Sequence, residues 1–470
     1  MSKRKEVSPE LITRQREIAG EIQAIHAAKT TPPLALVDTY GCQQNEADSE
    51  TIRGYLRDMG YAFTQSEAEA DLIIINTCAV RENAENRVWG NVGALTHTKK
   101  AKPEQIIVLC GCMAQQESVA KKVETSFRHV DLVFGPHALW RLPELLQKFM
   151  TEQGRIVEIS DPDGVIAENL PSLRTEGPSA WLTIMYGCNN FCSFCIVPHV
   201  RGRERSRTPE HILADVRRLV ADGVKDITLL GQNVNSYGHD LDGNADFAWL
   251  LQQINAVPGD FRIRFMTSHP KDASERLFET MVACEKVAKH LHLPVQAGNS
   301  RVLAEMNRGY TKAQYLALIA AARKHMPNIV LTSDIIVGFP GETEAEFEDT
   351  LDVLEQVRFD ALFTFIFSPR TGTPAADLPD PVTRAEKQRW FDRMLSLQNQ
   401  ISTDRHKAYI GTTERILIDG KTDDARYPLK ARTDGGRLVR LAGDESLIGE
   451  FVDVEITDAS TWSLTAQLPL

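Results

Sequence analysis

Short apolar runs alternate with stretches of helical periodicity along most of the chain. In the first third, four runs rich in β-branched residues have the length of buried strands, and the stretches between them carry apolar residues at helical spacing. The predicted strands lie at 34–38, 71–76, 105–110 and 131–134, and the predicted helices at about 45–59, 81–97, 114–124 and 138–150. Because alternating strands and helices form a parallel sheet covered by helices, we expect an α/β domain that ends near residue 150.

A second and longer alternation follows residues 151–180, which are polar and rich in proline and glycine and therefore predict a linker. The predicted strands are 181–186, 226–230, 261–266, 290–295, 329–337 and 361–367, and the predicted helices are about 208–222, 245–256, 273–283, 311–325 and 343–357. Six βα steps are compatible with a partial barrel and equally with an open sheet.

The two ends of the chain differ from this pattern. A lone polar helix is expected at 8–29, and a helical stretch at 383–408 leads to short strand-like runs at 413–418, 437–441 and 450–456, which predict a small all-β module. The expected division is an N-terminal helical extension at 1–33, an α/β domain at 34–150, a linker at 151–173, a second α/β domain at 174–407 and the all-β module at 408–470.

Composition indicates the cellular compartment of the protein and the use of its cysteines. A chain of 470 residues with 42% apolar and 25% charged residues is typical of a globular protein with roughly three domains. No apolar run approaches the roughly 18 residues of a membrane span, and the charged N-terminal segment lacks the apolar core of a secretory signal. We expect a cytoplasmic protein whose eight cysteines are reduced and serve metal binding or catalysis rather than disulfides.

Three of these cysteines lie within eight residues, directly after the first strand of the second alternation. Cys188, Cys192 and Cys195 have the spacing C-x3-C-x2-C, with which one loop can hold three corners of a cubane 4Fe-4S cluster. A structural zinc ion would need a fourth protein ligand, for which His199 is the only nearby candidate. The spacing favours a cluster with one open iron over zinc and over three buried thiols.

Three more cysteines are far apart in sequence but follow predicted strands. Cys42, Cys78 and Cys112 each lie just past the carboxyl end of a strand and before a helix, and such strand ends meet at one edge of a parallel sheet. Helix N-termini at that edge favour anionic thiolates, so we expect a second 4Fe-4S cluster, although ordinary buried thiols are an alternative. Cys110 is the last residue of its predicted strand, and we interpret Cys110 and Cys284 as packing residues.

The segments around the two cysteine trios resemble the methylthiotransferases of the radical S-adenosylmethionine superfamily over about residues 34–465. The sequences of these motifs are most similar to those of the MiaB-type methylthiotransferases, which act on tRNA. The motifs that carry the resemblance are Thr39–Asn45 (TYGCQQN), Asn76–Glu85 (NTCAVRENAE), Gly111–Ala114 (GCMA), Val197–Arg207 (VPHVRGRERSR), Leu230–Tyr237 (LGQNVNSY), His292–Gln296 (HLPVQ), Met306–Tyr310 (MNRGY) and Asp334–Thr343 (DIIVGFPGET).

This resemblance implies a fold, cofactors and a substrate. The fold would be an N-terminal α/β parallel-sheet domain, a radical S-adenosylmethionine partial (β/α)6 barrel and a small all-β TRAM-like barrel that binds RNA. The cofactors would be two 4Fe-4S clusters, one of which binds S-adenosylmethionine at its open iron. The substrate would be tRNA carrying N6-isopentenyladenosine at position 37, 3′ of the anticodon, converted to its 2-methylthio derivative with electrons from a low-potential donor.

Five residues are predicted to contact S-adenosylmethionine. The resemblance places Phe194, the aromatic residue before the third cysteine, near the adenine of the cofactor. Gln232, Asn233, Gln296 and Asp334 are polar residues at the carboxyl ends of predicted core strands, the end at which βα barrels bind ligands. Such side chains also cap helices, so a purely structural role is the alternative for each of them.

Clustered arginines are the candidate RNA contacts, because guanidinium groups suit phosphate. The net charge of −11 argues mildly against a nucleic-acid partner, and residues 408–470 contain 7 Lys and Arg against 11 Asp and Glu. The candidates are Arg201, Arg203, Arg205 and Arg207 after the cysteine loop, and Arg432, Arg437 and Arg440 in the all-β module. A solvated surface is the alternative for the first run, as is contact between one of its arginines and the cofactor carboxylate.

Two other functions are compatible with the same residues. One is the same chemistry on threonylcarbamoyladenosine in tRNA or on an aspartate of a ribosomal protein, since these reactions need the same two clusters. The other is a non-catalytic iron–sulfur sensor that binds RNA, which would not cleave S-adenosylmethionine.

Overall fold

The computed structural model describes residues 5–79, 82–152, 154–159, 164–175 and 177–469. Val80 and Arg81 of the NTCAVRENAE motif lie outside the described residues. The chain forms two compact units: the first is Met1–Thr175, Met185–Asn189 and Ile196–Arg207, and the second is Glu176–Ile184, Asn190–Cys195 and Thr208–Leu470.

The helices and strands follow the predicted alternation closely. In chain order, the first elements are α1 (Pro9–Ala27), β1 (Leu34–Tyr40), α2 (Gln43–Asp58), β2 (Ala62–Phe63), β3 (Leu72–Thr77), α3 (Glu82–Ala101), β4 (Ile106–Gly111), α4 (Glu117–Ser126), β5 (Leu132–Phe134), α5 (Leu142–Glu152), β6 (Ile156–Glu158), β7 (Ser179–Thr183), β8 (Met185–Tyr186), α6 (Val197–Arg201) and β9 (Arg205–Ser206). The remaining elements are α7 (Pro209–Ala221), β10 (Asp226–Leu230), α8 (Phe247–Asn255), β11 (Arg262–Phe265), α9 (Glu275–Ala283), β12 (His290–His292), α10 (Ser300–Glu305), α11 (Lys312–His325), β13 (Val330–Val337), α12 (Glu344–Val357), β14 (Ala361–Ile366), α13 (Arg384–Lys407), β15 (Thr413–Lys421), β16 (Leu429–Arg432), β17 (Leu438–Leu441), β18 (Phe451–Ala459) and β19 (Leu464–Gln467).

The first unit contains a six-stranded parallel sheet in the order β2-β1-β3-β4-β5-β6. Alternate strand residues enter two apolar cores because successive side chains of a strand point to opposite faces. One core joins Ile74 and Cys110 to α1, α2 and α5, and the other joins Ile73 and Ile75 to α3 and α4. The predicted parallel sheet covered by helices is confirmed. The polar helix α1 packs against one face of this sheet.

The second unit contains six parallel strands in two three-stranded sheets, with orders β11-β10-β7 and β12-β13-β14. A parallel bridge between Ile263 and Val287 joins the first sheet to the chain just before β12. The strands therefore follow one another in chain order, as in a partial (β/α)6 barrel, and the open-sheet alternative is wrong. Capping boxes start α11, α12 and α13 at Thr311, Thr343 and Thr383.

Strands β15 to β19 form a closed barrel around its own apolar core, as the resemblance to TRAM domains implies. Two arginines of β11, of which Arg262 is buried and Arg264 is partly buried, bind backbone carbonyls of this barrel. Arg262 donates to Thr433 over 3.1 Å, and Arg264 donates to Asp434 over 2.7 Å. The buried carboxylate of Asp360 accepts from Arg437 of the barrel and from Arg405 of α13. Polar contacts thus fix the barrel to the core of the second unit.

Some short elements were not predicted. β2, β6, β16 and β19 have at most four residues, too few for a periodic pattern to emerge. The strand predicted at 290–295 ends at His292, two residues before Pro294, which lacks the N–H that a strand needs. β6 lies inside the segment predicted to be a linker. Of the helices that the structure describes, none has both the length and the apolar character needed to cross a bilayer.

Candidate functional site

Cys42, Cys78 and Cys112 lie at the carboxyl edge of the first unit's sheet. They follow β1, β3 and β4, which are neighbours in that sheet, and Cys42 is the N-cap residue of α2. The thiols of Cys42 and Cys78 share a hydrogen bond, and charge on Cys42 acts on Cys112. The structure therefore brings together the three thiols that the strand ends were predicted to bring together.

Two glycines and a pair of asparagines shape this edge. Asn45 donates to Asn76 Oδ1 and to the Thr77 carbonyl, each over 3.1 Å, and so links the start of α2 to the end of β3. A Cβ on Gly41 would lie 2.4 Å from Asn45 Oδ1, and one on Gly111, whose φ is +93°, would lie 2.4 Å from the Thr77 carbonyl oxygen. Only glycine fits before Cys42 and Cys112.

The thiols of this edge differ in acidity. A hydrogen bond with Cys78 is the main cause that lowers the pKa of Cys42 to about 6, against the effect of burial, and the charge of Arg201 contributes. Burial raises the pKa of Cys112 in spite of Arg201, and it raises the pKa of Cys110 well above its ordinary value. Cys42 is thus more acidic than Cys112, and Cys110 is a core thiol that stays protonated.

Arg201 was predicted as an RNA contact, but the structure places it inside the first unit, with 4% of its surface exposed. Its Nε donates to Cys112 Sγ over 2.9 Å, and its Nη2 donates to Asp48 over 2.6 Å. Ile196 and Val200 pack against Cys112 in an apolar cluster beside it. No local pattern predicts this arrangement, because Asp48 and Arg201 are 153 positions apart in the sequence.

The donor set suits an anionic thiolate-ligated cluster, because three thiols converge on a helix N-terminus and a buried guanidinium. Among the described residues, no group of three or more Cys, His, Asp or Glu side chains could hold a single metal ion. The thiol ligands of a cubane bind different irons, so they lie farther apart than the ligands of one ion. The role of these cysteines as cluster ligands stays a prediction.

The start of the central cysteine loop belongs to the first unit. The backbone N–H of Cys188 donates to the Gly202 carbonyl over 3.1 Å, and the Asn189 backbone N–H donates to Glu204 over 3.1 Å. A Cβ on Gly187, whose φ is +75°, would lie 2.0 Å from the Arg203 carbonyl oxygen. The glycine before Cys188 therefore allows close approach of the segment that follows the loop.

The rest of the loop belongs to the second unit, where the MNRGY motif holds it. Arg308 is buried and donates to Cys192 Sγ over 3.3 Å and to the Pro294 carbonyl over 2.8 Å. Ser193 binds the carbonyls of Met306 and Glu305 over 3.0 and 2.7 Å. Arg308 lies in the MNRGY motif, but no role was predicted for it from the sequence.

Next in the loop are Phe194 and Cys195, which are both partly exposed, while Cys192 is buried. Phe194 is accessible to a ligand, as its predicted contact with an adenine ring requires. The role of Phe194 stays a prediction.

Several buried polar atoms at the carboxyl ends of the core strands have no hydrogen-bond partner among the described residues. They include Asn233 Oδ1, Ser268 Oγ, His269 Nε2 and Gln296 Oε1. Because an unsatisfied buried polar atom is costly, such atoms mark a place where a polar ligand binds. Gln296 also has a φ of +71°, which is strained for a residue with a side chain.

These atoms fit the amino, carboxylate and ribose groups of S-adenosylmethionine. Asn233 is held by Asp272, to which its Nδ2 donates over 2.7 Å. Burial and the charge of Arg308 lower the pKa of His269 to about 2, so this ring is neutral. Gln232 is partly exposed. Ser268 and His269 were not predicted, since neither lies in a motif that the sequence analysis singled out.

Asp334 lies on the more exposed face of β13, together with aromatic residues of β14. It pairs in register with Phe363, and Ile336 pairs with Phe365. His292 Nε2 lies 3.6 Å from Asp334, and its ring packs edge-on against Phe363 at 5.6 Å. Phe363 and Phe365 are 46% and 39% exposed, which is unusual for phenylalanine and leaves an apolar surface beside Asp334.

The predicted RNA-contacting arginines fall into two groups. Arg201, Arg205, Arg207 and Arg437 are buried, whereas Arg203, Arg432 and Arg440 are exposed. Arg207 pairs with Glu168 over 2.5 Å, and Arg437 pairs with Asp360. The four buried guanidinium groups therefore lie in the interior, where phosphate does not reach them in this structure.

Three segments of the chain match known families. Residues 35–135 match the uncharacterized protein family UPF0004, residues 182–354 match the radical SAM superfamily, and residues 407–468 match the TRAM domain. These matches cover most of the sheet of the first unit, most of the six-stranded core and the closed barrel.

Relatives match nearly the whole chain. The tRNA-2-methylthio-N(6)-dimethylallyladenosine synthase of Acetivibrio thermocellus is 49% identical over 468 residues, which are 98% of this chain and 97% of the relative. The protein of the same name from Alkaliphilus oremlandii is 48% identical over 100% of this chain and 99% of its own length.

A solved structure shares the fold. The radical S-adenosylmethionine methyltransferase TsrM from Kitasatospora setae, with tryptophan substrate and the SAM analog aza-SAM bound, superposes with a TM-score of 0.52 and 16% identity. The match covers 73% of this chain and 75% of that chain.

Proposed function

The chain belongs to the family of the tRNA-2-methylthio-N(6)-dimethylallyladenosine synthases, and on that premise we propose that it converts N6-isopentenyladenosine at position 37 of tRNA to the 2-methylthio derivative. The observation that carries the proposal is 49% identity over 98% of the chain. A methylthiotransferase of this kind uses S-adenosylmethionine and two 4Fe-4S clusters.

The reaction requires radical chemistry. Carbon 2 of adenine has no acidic proton and no leaving group, so acid–base catalysis does not readily install sulfur there. When bound, S-adenosylmethionine and the clusters supply the radical and the sulfur, and the chain supplies binding, orientation and exclusion of water. Cys188, Cys192 and Cys195 are the proposed ligands of one cluster, and Cys42, Cys78 and Cys112 are those of the other.

The proposed cofactor contacts are the polar groups at the strand ends. Asn233 and Gln296 each present a buried oxygen without a protein partner, which a donor group of S-adenosylmethionine would satisfy. Gln232 follows the end of β10, whereas Asp334 lies within β13, three residues before the end of that strand. Phe194 is exposed enough to contact the adenine. These residues orient the cofactor and take no proton in the reaction.

The apolar face of β13 and β14 supports isopentenyladenosine over threonylcarbamoyladenosine. Phe363, Phe365 and Ile336 present an apolar surface next to the proposed cofactor contacts. An isopentenyl group is a branched hydrocarbon that such a surface binds by burial of apolar area. A threonylcarbamoyl group carries a carboxylate, which is costly to bury without a cation.

The tRNA contact is proposed on the outer face of the closed barrel. Arg440 pairs in register with Lys430, and Arg432 is the next outward residue of β16. This basic group offsets the acidic total of the module and suits backbone phosphate. In the proposed domain division, residues 34–150 carry the sulfur chemistry, residues 174–407 bind the cofactor and residues 408–470 bind RNA. A low-potential electron donor and a cytoplasmic location complete the proposal.

Mass spectrometry of tRNA nucleosides tests the substrate. Deleting the gene should abolish 2-methylthio-N6-isopentenyladenosine and leave N6-isopentenyladenosine in its place, and the wild-type gene should restore the product. Unchanged product in the deletion strain would refute the proposal, and loss of a 2-methylthio-threonylcarbamoyl nucleoside instead would identify the alternative substrate. Release of 5′-deoxyadenosine by the reduced, reconstituted protein would exclude the non-catalytic sensor.

A further inference from the structure

A buried ion pair touches one of the proposed ligands of the auxiliary cluster, the cluster of the first unit. Arg201 binds Cys112 Sγ through Nε and Asp48 through Nη2, over 2.9 and 2.6 Å. The side chains of Arg201 and Asp48 are 4% and 11% exposed. Removing two charges from water at this depth is costly, and their mutual attraction offsets the cost only when the geometry is good. Stability alone would be served as well by apolar residues of the same size.

The same helix carries an ion pair without such a contact. Arg57 and Asp58 of α2 lie 2.8 Å apart, but their side chains are 48% and 39% exposed, and exposed pairs of this kind contribute little. Asp48 differs from Asp58 because its partner comes from a distant segment and reaches a cysteine as well. The buried pair Arg201–Asp48 lies at the sheet edge that carries the cysteines. The exposed pair Arg57–Asp58 on the same helix is a suitable control for it.

The N–H donors around Cys112 differ from those around Cys42. Cys42 lies at the N-terminus of α2, where the backbone N–H groups of Asn45 and Gln44 bind its sulfur. Cys112 follows a strand and a left-handed glycine, is fully desolvated, and has Ile196 and Val200 around it. Arg201 therefore supplies a charged N–H to Cys112 Sγ, whereas backbone N–H groups contact the sulfur of Cys42.

We propose that Arg201 is a positioning residue for the auxiliary cluster and that Asp48 holds Arg201 in place. The charged N–H of Arg201 orients Cys112 Sγ and withdraws electron density from it, which raises the reduction potential of a cluster ligated there and slows its loss of iron. This inference rests on the proposed ligand role of Cys112. It replaces the predicted RNA contact of Arg201 by a contact with the cluster.

The test uses full-length chains in which Cys188, Cys192 and Cys195 are all replaced by Ala, so that only the auxiliary cluster can form. Arg201→Gln, Arg201→Lys, Asp48→Asn and the double variant Arg201→Gln/Asp48→Asn are reconstituted without oxygen. Arg57→Gln and Asp58→Asn on α2 are the matched controls. Iron and sulfide are counted, release of iron to a chelator is timed, and the midpoint potential is measured by electron paramagnetic resonance.

Arg201→Gln should release iron about 10-fold faster or more, the range seen when a partner of a metal ligand is lost, and should have a more negative midpoint potential. Arg201→Lys keeps the charge without the fork-shaped donor and should fall between Gln and the wild type. Asp48→Asn should have a smaller effect than Arg201→Gln. In the double variant it should add nothing to the effect of Arg201→Gln, because Asp48 acts through Arg201. The controls should match the wild type.

Two results would overturn the inference, and only the first of them would also contradict the presence of the auxiliary cluster. If the parent chain with Arg201 intact binds no iron, the auxiliary cluster and this inference both fail. If the parent binds about four irons and Arg201→Gln matches it in iron release and potential, only the inference fails. If Arg201→Gln does not fold, Arg201→Lys and Asp48→Asn decide by the same two readouts, and parent-like values in both would overturn it.

Discussion

The guanidinium of Arg308 donates a hydrogen bond to Sγ of Cys192 over 3.3 Å, and in the other unit Arg201 makes the same kind of contact with Cys112. Each cysteine trio thus has one member whose sulfur accepts an N–H from a buried arginine. Arg308 is fixed on its other sides by the Pro294 carbonyl and the Tyr310 hydroxyl. An arginine held this firmly orients a thiolate ligand and stabilises its charge.

Replacing Arg308 should weaken the central cluster. In a chain that carries Ala at Cys42, Cys78 and Cys112, Arg308→Gln should release iron to a chelator roughly 10-fold faster than the parent. The matched control is Arg301→Gln, since Arg301 is an exposed arginine of the same unit whose partners are Glu305, Glu346 and the Gly341 carbonyl rather than a cysteine. Equal iron release in Arg308→Gln and its parent would show that Arg308 only packs the loop.

Cys110 and Cys112 should behave oppositely although they are two residues apart. Cys110 packs in an apolar core with Ile74 and Phe134, so Cys110→Ala should keep the iron content of the wild type. Cys112→Ala should lose about four irons and keep cleavage of S-adenosylmethionine by the central cluster. Iron counting on anaerobic preparations checks both. Iron loss in Cys110→Ala with retention in Cys112→Ala would invert the assignment of this strand end.

The apolar face of β14 should control substrate choice. Phe363→Ala removes apolar area that the isopentenyl group would cover, and we expect kcat/KM for isopentenylated RNA to fall about 10-fold. The KM for S-adenosylmethionine should change much less. Thr364→Ala, on the other face of the same strand, is the control. A rise in the KM for S-adenosylmethionine in place of the RNA effect would assign Phe363 to the cofactor.

Arginines of the closed barrel should separate stability from RNA binding. Arg437→Met breaks a buried ion pair with Asp360, and we expect a loss on the order of 3 kcal/mol in the free energy of unfolding. Arg440→Gln, on the exposed outer face, should leave that free energy unchanged. It should lower the slope of log affinity for tRNA against log salt concentration by about one. Salt-dependent binding and denaturant unfolding of both variants measure the two effects, and an unchanged salt slope in Arg440→Gln would remove Arg440 from the RNA contact.

Glu342 should make stability depend on pH. Burial raises the pKa of this carboxyl to about 7, although the backbone N–H groups of Gly338 and Phe339 and the charge of Lys387 oppose the shift. Between its unfolded pKa, near 4.5, and about 7, the native state holds a proton that the unfolded state has lost, so stability falls as pH rises through this window. The loss amounts to roughly 3 kcal/mol.

Glu342→Gln should remove this slope, because an amide oxygen can accept the same two N–H groups without ionising. Unfolding in denaturant from about pH 5 to about pH 8 checks it: the advantage of the variant over the wild type should grow with pH. A constant difference between the two proteins would mean that Glu342 does not titrate in this range.

The sequence predicted the elements whose pattern is local and missed contacts between distant segments. Strand ends and cysteine positions are local, so the meeting of Cys42, Cys78 and Cys112 at one sheet edge followed from the order of elements. The arginine run after the cysteine loop appeared to be one basic surface, yet Arg207 pairs with Glu168, 39 positions away, and is buried. Local charge density does not show which arginine finds a buried carboxylate.

The cofactor contacts show the same division. Gln296 and Asn233 were predicted because they follow strands, whereas Ser268 and His269 became visible only as buried atoms without partners. The positive φ of Gln296 has no signal in a single sequence, because the residue is not glycine, asparagine or aspartate. A strained backbone angle and a buried polar atom without a partner both result from packing between distant segments, so a single sequence does not show them.

The closed barrel is joined to the six-stranded core by the contacts that Arg262 and Arg264 make with its backbone carbonyls. A module anchored through its main chain does not swing as a tethered one would. Its outer basic residues therefore stay at a fixed distance from the ends of the core strands, where the cofactor contacts are proposed. An RNA that used both places would need a backbone curvature that matches this distance.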